Sequence, residues 1–291
     1  MTGLKRPRHL IDGHVHIMEQ RRIRGGIRWI SKVVRAYRQL DPETTPDALL
    51  QDLRRAGVDA AFNLYYPIGP GESREINRWQ REMSDQNPWL LAFASLHPAD
   101  PDPLAIIEES LNELGLLGFK FHPYVQQFRI LDSRMDRVYR RLEEINCPVI
   151  VHTGFSRFYR LPSLTAEFLE LLHRFPGMKL VASHMLCDDI SLEQLAEVVE
   201  EYPNLYLDAT NALWLYHPDY PAYERLPEFI RRYRTRVYFG TDYPMGMTYP
   251  VERLYKQGLT VCPDQETVED VFWRTALRLI GREELPQGST G

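Results

Sequence analysis

The stretch Leu10-Ile11-Asp12-Gly13-His14-Val15-His16 begins as an apolar run and ends in two histidines two residues apart. Side chains on a strand repeat with period two, so both imidazoles leave the same face, close enough to share one cation. A lone His-x-His also suits the wet face of an ordinary strand. The rest of the chain repeats the pattern, however: His122, His152, His184 and Asp242 each close another short apolar run. That recurrence points to a fold that gathers its strand ends in one place.

Working outward, strand-like runs fall at 9–15, 58–65, 90–96, 118–121, 147–151, 179–182, 204–207 and 236–239. Between them lie stripes at the i, i+3, i+4 spacing of a helix with one buried face, such as Phe168-Leu171-Leu172-Phe175 and Leu192-Leu195-Val198-Val199. Strand then helix, repeated around the chain, predicts a single-domain α/β protein spanning 1–291, a (β/α)8 TIM barrel. A doubly wound open sheet is the competitor, but no Gly-rich phosphate loop follows the first run. Three stretches exceed the minimal beat and read as βα loops inserted over the C-terminal face: 19–46, 155–162 and 214–227. The segment 267–280 reads as a closing helix.

The chain has 291 residues, 44% of them hydrophobic, enough for a large core in one barrel. A net charge of -5 gives no global drive toward nucleic acid or anionic membrane, so the expected partner is a small molecule. Whether the chain is a homo-oligomer stays open. Cys147, Cys187 and Cys262 are scattered, with no C-x-x-C, and fit a reducing cytosol better than a disulfide framework. The basic stretch 1–9 leads directly into the charged Asp12 to His16 motif, which predicts no signal peptide, and no segment has the length of a membrane span.

In a barrel, catalytic groups come from the C-terminal ends of different strands. His14 and His16 close the first run; His97, then Lys120 with His122, His152, His184, Asp208 and Asp242 follow at later ones. Imidazoles with one carboxylate suit a single divalent ion, zinc first, with manganese or iron as alternatives. Such an ion lowers the pKa of a bound water and polarises a carbonyl.

Asp12-Gly13-His14-Val15-His16, Gly118-Phe119-Lys120-Phe121-His122-Pro123, Val151-His152-Thr153-Gly154, Ser183-His184-Met185 and Gly240-Thr241-Asp242-Tyr243-Pro244 together resemble the amidohydrolase superfamily. The resemblance is nearest to its amidohydrolase-related branch, which includes aminocarboxymuconate semialdehyde decarboxylase and resorcylate decarboxylases. It implies His14, His16, His152 and Asp242 as ligands of one divalent metal. It also implies that His184 orients or protonates substrate and that Asp242 takes the proton of the attacking water. In binuclear relatives a strand-four lysine becomes a bridging carbamate. For a mononuclear centre Lys120 stays unmodified, either pairing a substrate carboxylate or forming a structural ion pair.

His122 shares the strand face of Lys120 and is expected to line the pocket, with Asn211 and Trp214 also placed against substrate. Asp208 and Asn211 have a second reading, as hydrogen-bond partners of a ligand histidine. His97 reads as a strand cap and Cys187 as a buried inert thiol. Arg21, Arg22, Arg24, Arg28, Lys32, Arg35 and Arg38 form a run without an acidic residue among them. It is either a solvated face or the source of a clamp for a carboxylate. Tyr65, Tyr66, Phe155, Phe158, Tyr159, Trp214 and Tyr216 would give that ligand a flat wall.

The leading expectation is a metal-dependent hydrolase of a small carboxylate-bearing or cyclic substrate. The alternative is a nonoxidative decarboxylase of an aromatic or unsaturated acid on the same scaffold. A TatD-like metal nuclease would want an acidic residue at strand four, where this chain has Lys120 and His122. A non-catalytic binding module would have ligands missing, and none is missing.

Overall fold

A computed structural model describes residues 3–33, 41–187, 189–215, 224–246 and 250–286. All eight expected runs are strands: β1 (Ile11–Val15), β2 (Ala60–Leu64), β3 (Leu90–Phe93), β4 (Phe119–Phe121), β5 (Val149–His152), β6 (Leu180–Ser183), β7 (Leu205–Asp208) and β8 (Val237–Tyr238). Every pairing is parallel, in the order β1-β2-β3 and β4-β5-β6-β7-β8. Two seams join the arcs. Ala94 beyond β3 accepts from Lys120 N and donates to Gly118 O, both at 2.8 Å. On the other side Gly13 N donates to Phe239 O and Asp242 N to His14 O, again at 2.8 Å each, so the sheet closes into a barrel.

Strands buried on both faces read as near-continuous apolar runs, and Val149-Ile150-Val151 is typical. Period-two alternation sorts the side chains. Register pairs Ile150 with Val181 and Val181 with Tyr206, then one level higher His152 with Ser183 and Ser183 with Asp208. Ile150 and Val181 join Phe62, Phe93 and Tyr238 in the apolar barrel interior. The same inward column therefore turns from hydrocarbon to imidazole, hydroxyl and carboxylate as it nears the C-terminal mouth.

Outside the barrel, helices bury their stripes against the sheet: Leu49, Leu50 and Leu53 from Pro46–Arg55, and Phe168, Leu171 and Leu172 from Thr165–Arg174. Thr45 caps the first of these by accepting from Ala48 N at 3.2 Å, and Ser191 with Gln194 forms a capping box on Leu192–Glu201. The expected closing helix is present as a run from Gln265 to Leu279, which sends Ala276, Leu277 and Leu279 into the barrel interior. Of the inserted loops, the first contains the helix Gln20–Val33 and the second a single turn, Ser156–Tyr159. Most of the third, with Tyr216, lies outside the described residues. Among the described residues no helix is long and apolar enough to cross a membrane.

Gly13 sits where β1 meets β8. A Cβ there would run into the Tyr238 ring and come within 2.8 Å of the Phe239 carbonyl oxygen. Backbone cannot yield cheaply in a closed barrel, so Gly13→Ala is expected to destabilise the protein by about 1–3 kcal/mol. Urea denaturation read at equilibrium checks this; an unchanged midpoint would mean the seam is looser than its geometry.

Candidate metal centre

β1 delivers His14 and His16 to the mouth, and the loop after β8 delivers Asp242. The two Nε2 atoms lie 3.2 Å apart, and Asp242 Oδ1 stands 2.9 Å from His16 Nε2 and 3.6 Å from His14 Nε2. One ligand atom from each falls within 4.8 Å of the others. The opposite ring nitrogens explain what these atoms offer. His16 Nδ1 bonds the Leu64 carbonyl at 2.6 Å and His14 Nδ1 bonds Asp208 Oδ2 at 2.5 Å, so each Nδ1 carries the proton. Both Nε2 lone pairs are then bare and face a carboxylate oxygen. Burial, with the Lys120 charge adding to it, pushes the His14 pKa well down and favours the neutral ring. Burial raises the Asp242 carboxyl, but its close contacts with His16 and His14 outweigh that and hold the group below its usual range. Three electron pairs converging in a dry site are the donor set a divalent cation satisfies.

A second group of rings adjoins this one. His184 Nδ1 lies 2.9 Å from Thr210 O, which fixes its proton there and leaves Nε2 to accept. His152 Nδ1 supplies that bond at 3.1 Å. His152 Nε2 is thereby left as a buried acceptor with no hydrogen-bond partner. His152 is outside the set whose donor atoms lie within 4.8 Å, yet its free nitrogen is chemically the fourth donor the resemblance implies. The His184 ring centroid is 5.2 Å from that of His14. His122 stacks on His152 at 3.8 Å, with Tyr159 Oη 3.2 Å from its Nε2.

The strand ends that carry this chemistry turn out of the sheet in the left-handed region. His184 (φ 64°), Asn211 (φ 60°) and Asp242 (φ 63°) all adopt it, and Met185 and Leu186 continue it after His184. Asn, Asp and His tolerate this region better than most residues, whereas Met and Leu do so at a cost that the packing around them must offset.

The other expected residues sort as follows. Asn211 Nδ2 donates to Asp242 Oδ2 at 2.8 Å, so its partner is the carboxylate and not the ligand histidine expected for it. Asp208 does hold His14, and is itself fixed by Thr210 N at 2.9 Å. Lys120 is fully buried beneath the site, donating to Ser183 Oγ at 2.9 Å; burial brings its ammonium down to about 8 against the pull of Asp208 and Asp242. His97 is occupied locally, bonding Gln126 O at 3.1 Å and accepting from Ala99 N at 3.1 Å. Cys187 is buried. Trp214 belongs to the short helix Ala212–Leu215, and its side chain lies outside the described residues. Asp12 is a residue that reading the sequence assigned no role. Its carboxylate accepts from Thr241 N at 3.0 Å, Thr241 Oγ1 at 2.6 Å and His14 N at 3.2 Å, tying β1 to the Asp242 loop. Burial raises its pKa to about 7.

Above the donors opens a cavity of about 550 Å³ whose floor includes His16, His122, His152 and Asp242. The basic run divides around it. Arg21, Arg24 and Arg28 pair outward with Glu19, Glu75 and Glu43, whereas Arg22 lines the cavity. Arg22 is held by Glu72 at 2.6 Å and keeps a buried Nε without a partner. Arg35 and Arg38 lie outside the described residues.

No curated protein matches the chain. Among solved structures, an uncharacterised TIM-barrel protein from Bordetella bronchiseptica superposes with a TM-score of 0.71 at 18% identity, covering 94% of this chain and 100% of that one. The 5-carboxyvanillate decarboxylase of Sphingomonas paucimobilis reaches 0.66 at 14% identity, covering 94% and 99%. An amidohydrolase from Burkholderia multivorans with bound zinc also reaches 0.66, at 15% identity, covering 94% and 100%. These similarities are to the barrel. The family model described as amidohydrolase matches residues 11–282. Because that match begins at the first residue of β1 and runs past the closing helix, it takes in the whole barrel, and the chain belongs to the amidohydrolase family.

Proposed function

We propose that this chain is a metal-dependent hydrolase of a small carboxylate-bearing or cyclic substrate, with one divalent ion held by His14, His16, Asp242 and His152. The observation that carries the reading is the convergence of bare lone pairs from His14, His16 and Asp242 at the floor of the cavity. The nitrogen-rich donor set suits zinc, with manganese or iron as alternatives. When bound, the ion supplies Lewis-acid polarisation of a substrate oxygen and lowers the pKa of water beside it.

The chain's own residues do the rest. Asn211 holds one oxygen of Asp242, so the carboxylate is oriented to accept the proton of an attacking water. His184, anchored on the Thr210 carbonyl, steadies the oxygen that gains charge or protonates the leaving group. His122 lines the floor with Lys120 buried beneath the site, and Arg22, which lines the cavity, offers its guanidinium to a substrate carboxylate. Arg22 and the aromatic walls also favour the second reading, nonoxidative decarboxylation of an aromatic or unsaturated acid, in which a proton replaces the carboxylate on carbon. The proposed partner in either case is a small molecule, in a reducing compartment that suits three buried cysteines in the thiol state.

Metal analysis of the purified protein, before and after chelation, tests the shared premise. About one equivalent of metal per chain is expected, with activity lost on chelation and restored by zinc or manganese. Parallel panels of lactones and amides, read by acid release, and of arylcarboxylic acids, read by released carbon dioxide, separate the two reactions. Full activity in chelated, metal-free protein would refute both.

A further inference from the structure

The helix Gln20–Val33 turns one face to the cavity: Arg22, Gly25, Gly26 and Trp29, spaced i, i+3, i+4 and i+7. Trp29 is 48% exposed although it is the largest side chain of that face. Its ring lies nearly parallel to Tyr159, 19° between planes with centroids 6.3 Å apart; Tyr159 meets His122 edge-on at 5.6 Å, and His122 stacks on His152. One aromatic wall thus descends from the solvent to the metal-binding floor.

Gly25 is the telling position. Glycine inside a helix weakens it relative to alanine, and Gly25 has neither a positive φ nor any atom within 4 Å of where a Cβ would stand. Nothing in the fold demands its missing side chain; what the absence leaves is clearance along the cavity wall. Gly26 differs, since a Cβ there would approach Met245 Cε at 2.9 Å. Size agrees. The cavity of about 550 Å³ lies in the usual range of small-molecule sites and leaves room beyond a single-ring acid seated at the floor.

We propose that Gly25, Trp29 and Tyr159 form an outer subsite for a second aromatic ring, so that the natural ligand is an aryl-extended acid whose charged end lies at the floor and whose flat distal ring lies along Trp29. The orientation rests on the reading of the floor as the reacting end; the subsite rests on the wall and the clearance. Ile68, 47% exposed and also lining the cavity, continues the apolar rim, so the distal ring trades water for hydrocarbon without leaving a polar group unpaired.

Isothermal titration of the metal-containing protein with two unreactive acids, benzoate and biphenyl-4-carboxylate, tests this. Biphenyl-4-carboxylate is expected to bind at least tenfold more tightly. Gly25→Leu and Trp29→Ala should each remove that preference while changing benzoate affinity by less than twofold, and Gly25→Ala should raise Tm by about 2 °C through helix propensity alone. Equal affinity for the two acids, or a preference that survives both Gly25→Leu and Trp29→Ala, would overturn the subsite. Metal analysis of the same samples keeps the outcomes apart: a missing metal with the aryl preference intact refutes the hydrolase reading and leaves the subsite standing.

Discussion

Asp242→Asn is expected to lower turnover by more than about 10⁴-fold and to strip metal from the protein, because one carboxylate serves two needs at once. It supplies the negative charge among the donors, standing 2.9 Å from the His16 imidazole and 3.6 Å from that of His14. Its oxygens are also the basic atoms placed to take a proton at the floor of the cavity. Loss of a residue that merely orients a ligand costs about 10–100-fold in metal affinity, and removal of a charged donor exceeds that. The amide would also meet Asn211 Nδ2, which now donates to Asp242 Oδ2, with a group that has half the accepting capacity. Metal content and single-turnover rate on an identified substrate, measured on the same preparation, check both halves. A variant that keeps full metal and loses only turnover would restrict Asp242 to proton transfer.

His184→Asn is expected to keep its metal and lose about 10²- to 10⁴-fold in turnover, the usual contribution of a positioned acid or base. The ring is tethered through Nδ1 to the Thr210 carbonyl and receives the Nδ1–H of His152 at Nε2, so it touches the donor set through a neighbour. Asparagine can still donate to the Thr210 carbonyl from the Nδ1 position, while it removes the imidazole Nε2 that would exchange a proton with substrate. Comparison with His152→Asn decides the roles. If His184→Asn loses the metal and His152→Asn retains it, the two histidines must be exchanged in the mechanism.

The barrel was legible because its interior demands it. Each strand is buried on both faces, so each shows as a short apolar run, and all eight expected runs are strands. The ends were less legible: β1 starts at Ile11, β2 at Ala60, and β3 stops at Phe93, although buried Leu10, Val58 and Leu96 carry the apolar runs beyond those limits. Within the site, the pairing of His14 with His16 follows from strand parity alone, and Asp242 follows from the position of the last strand. The bond between His152 and His184 does not, since it depends on which ring nitrogen each neighbour claims. The basic run shows the same limit. Read as a block of charge it offered two outcomes for all its members, whereas the helical period separates Arg22, Gly25 and Trp29 from Arg21, Arg24 and Arg28. Asp12 was hidden for a different reason: its partner Thr241 meets it only when the barrel closes.

That closure joins the first strand to the last, and the same seam carries the donors: His14 and His16 belong to one side of it and Asp242 to the other. During synthesis the paired histidines leave the ribosome more than two hundred residues before the aspartate does, an interval on the order of ten to fifty seconds at about 5–20 residues per second. Through that interval the nascent chain has two of the proposed donors without the third. If His14, His16 and Asp242 hold the proposed ion, its tight capture would wait for β8 to dock, so the protein would be loaded only after the whole barrel has been made.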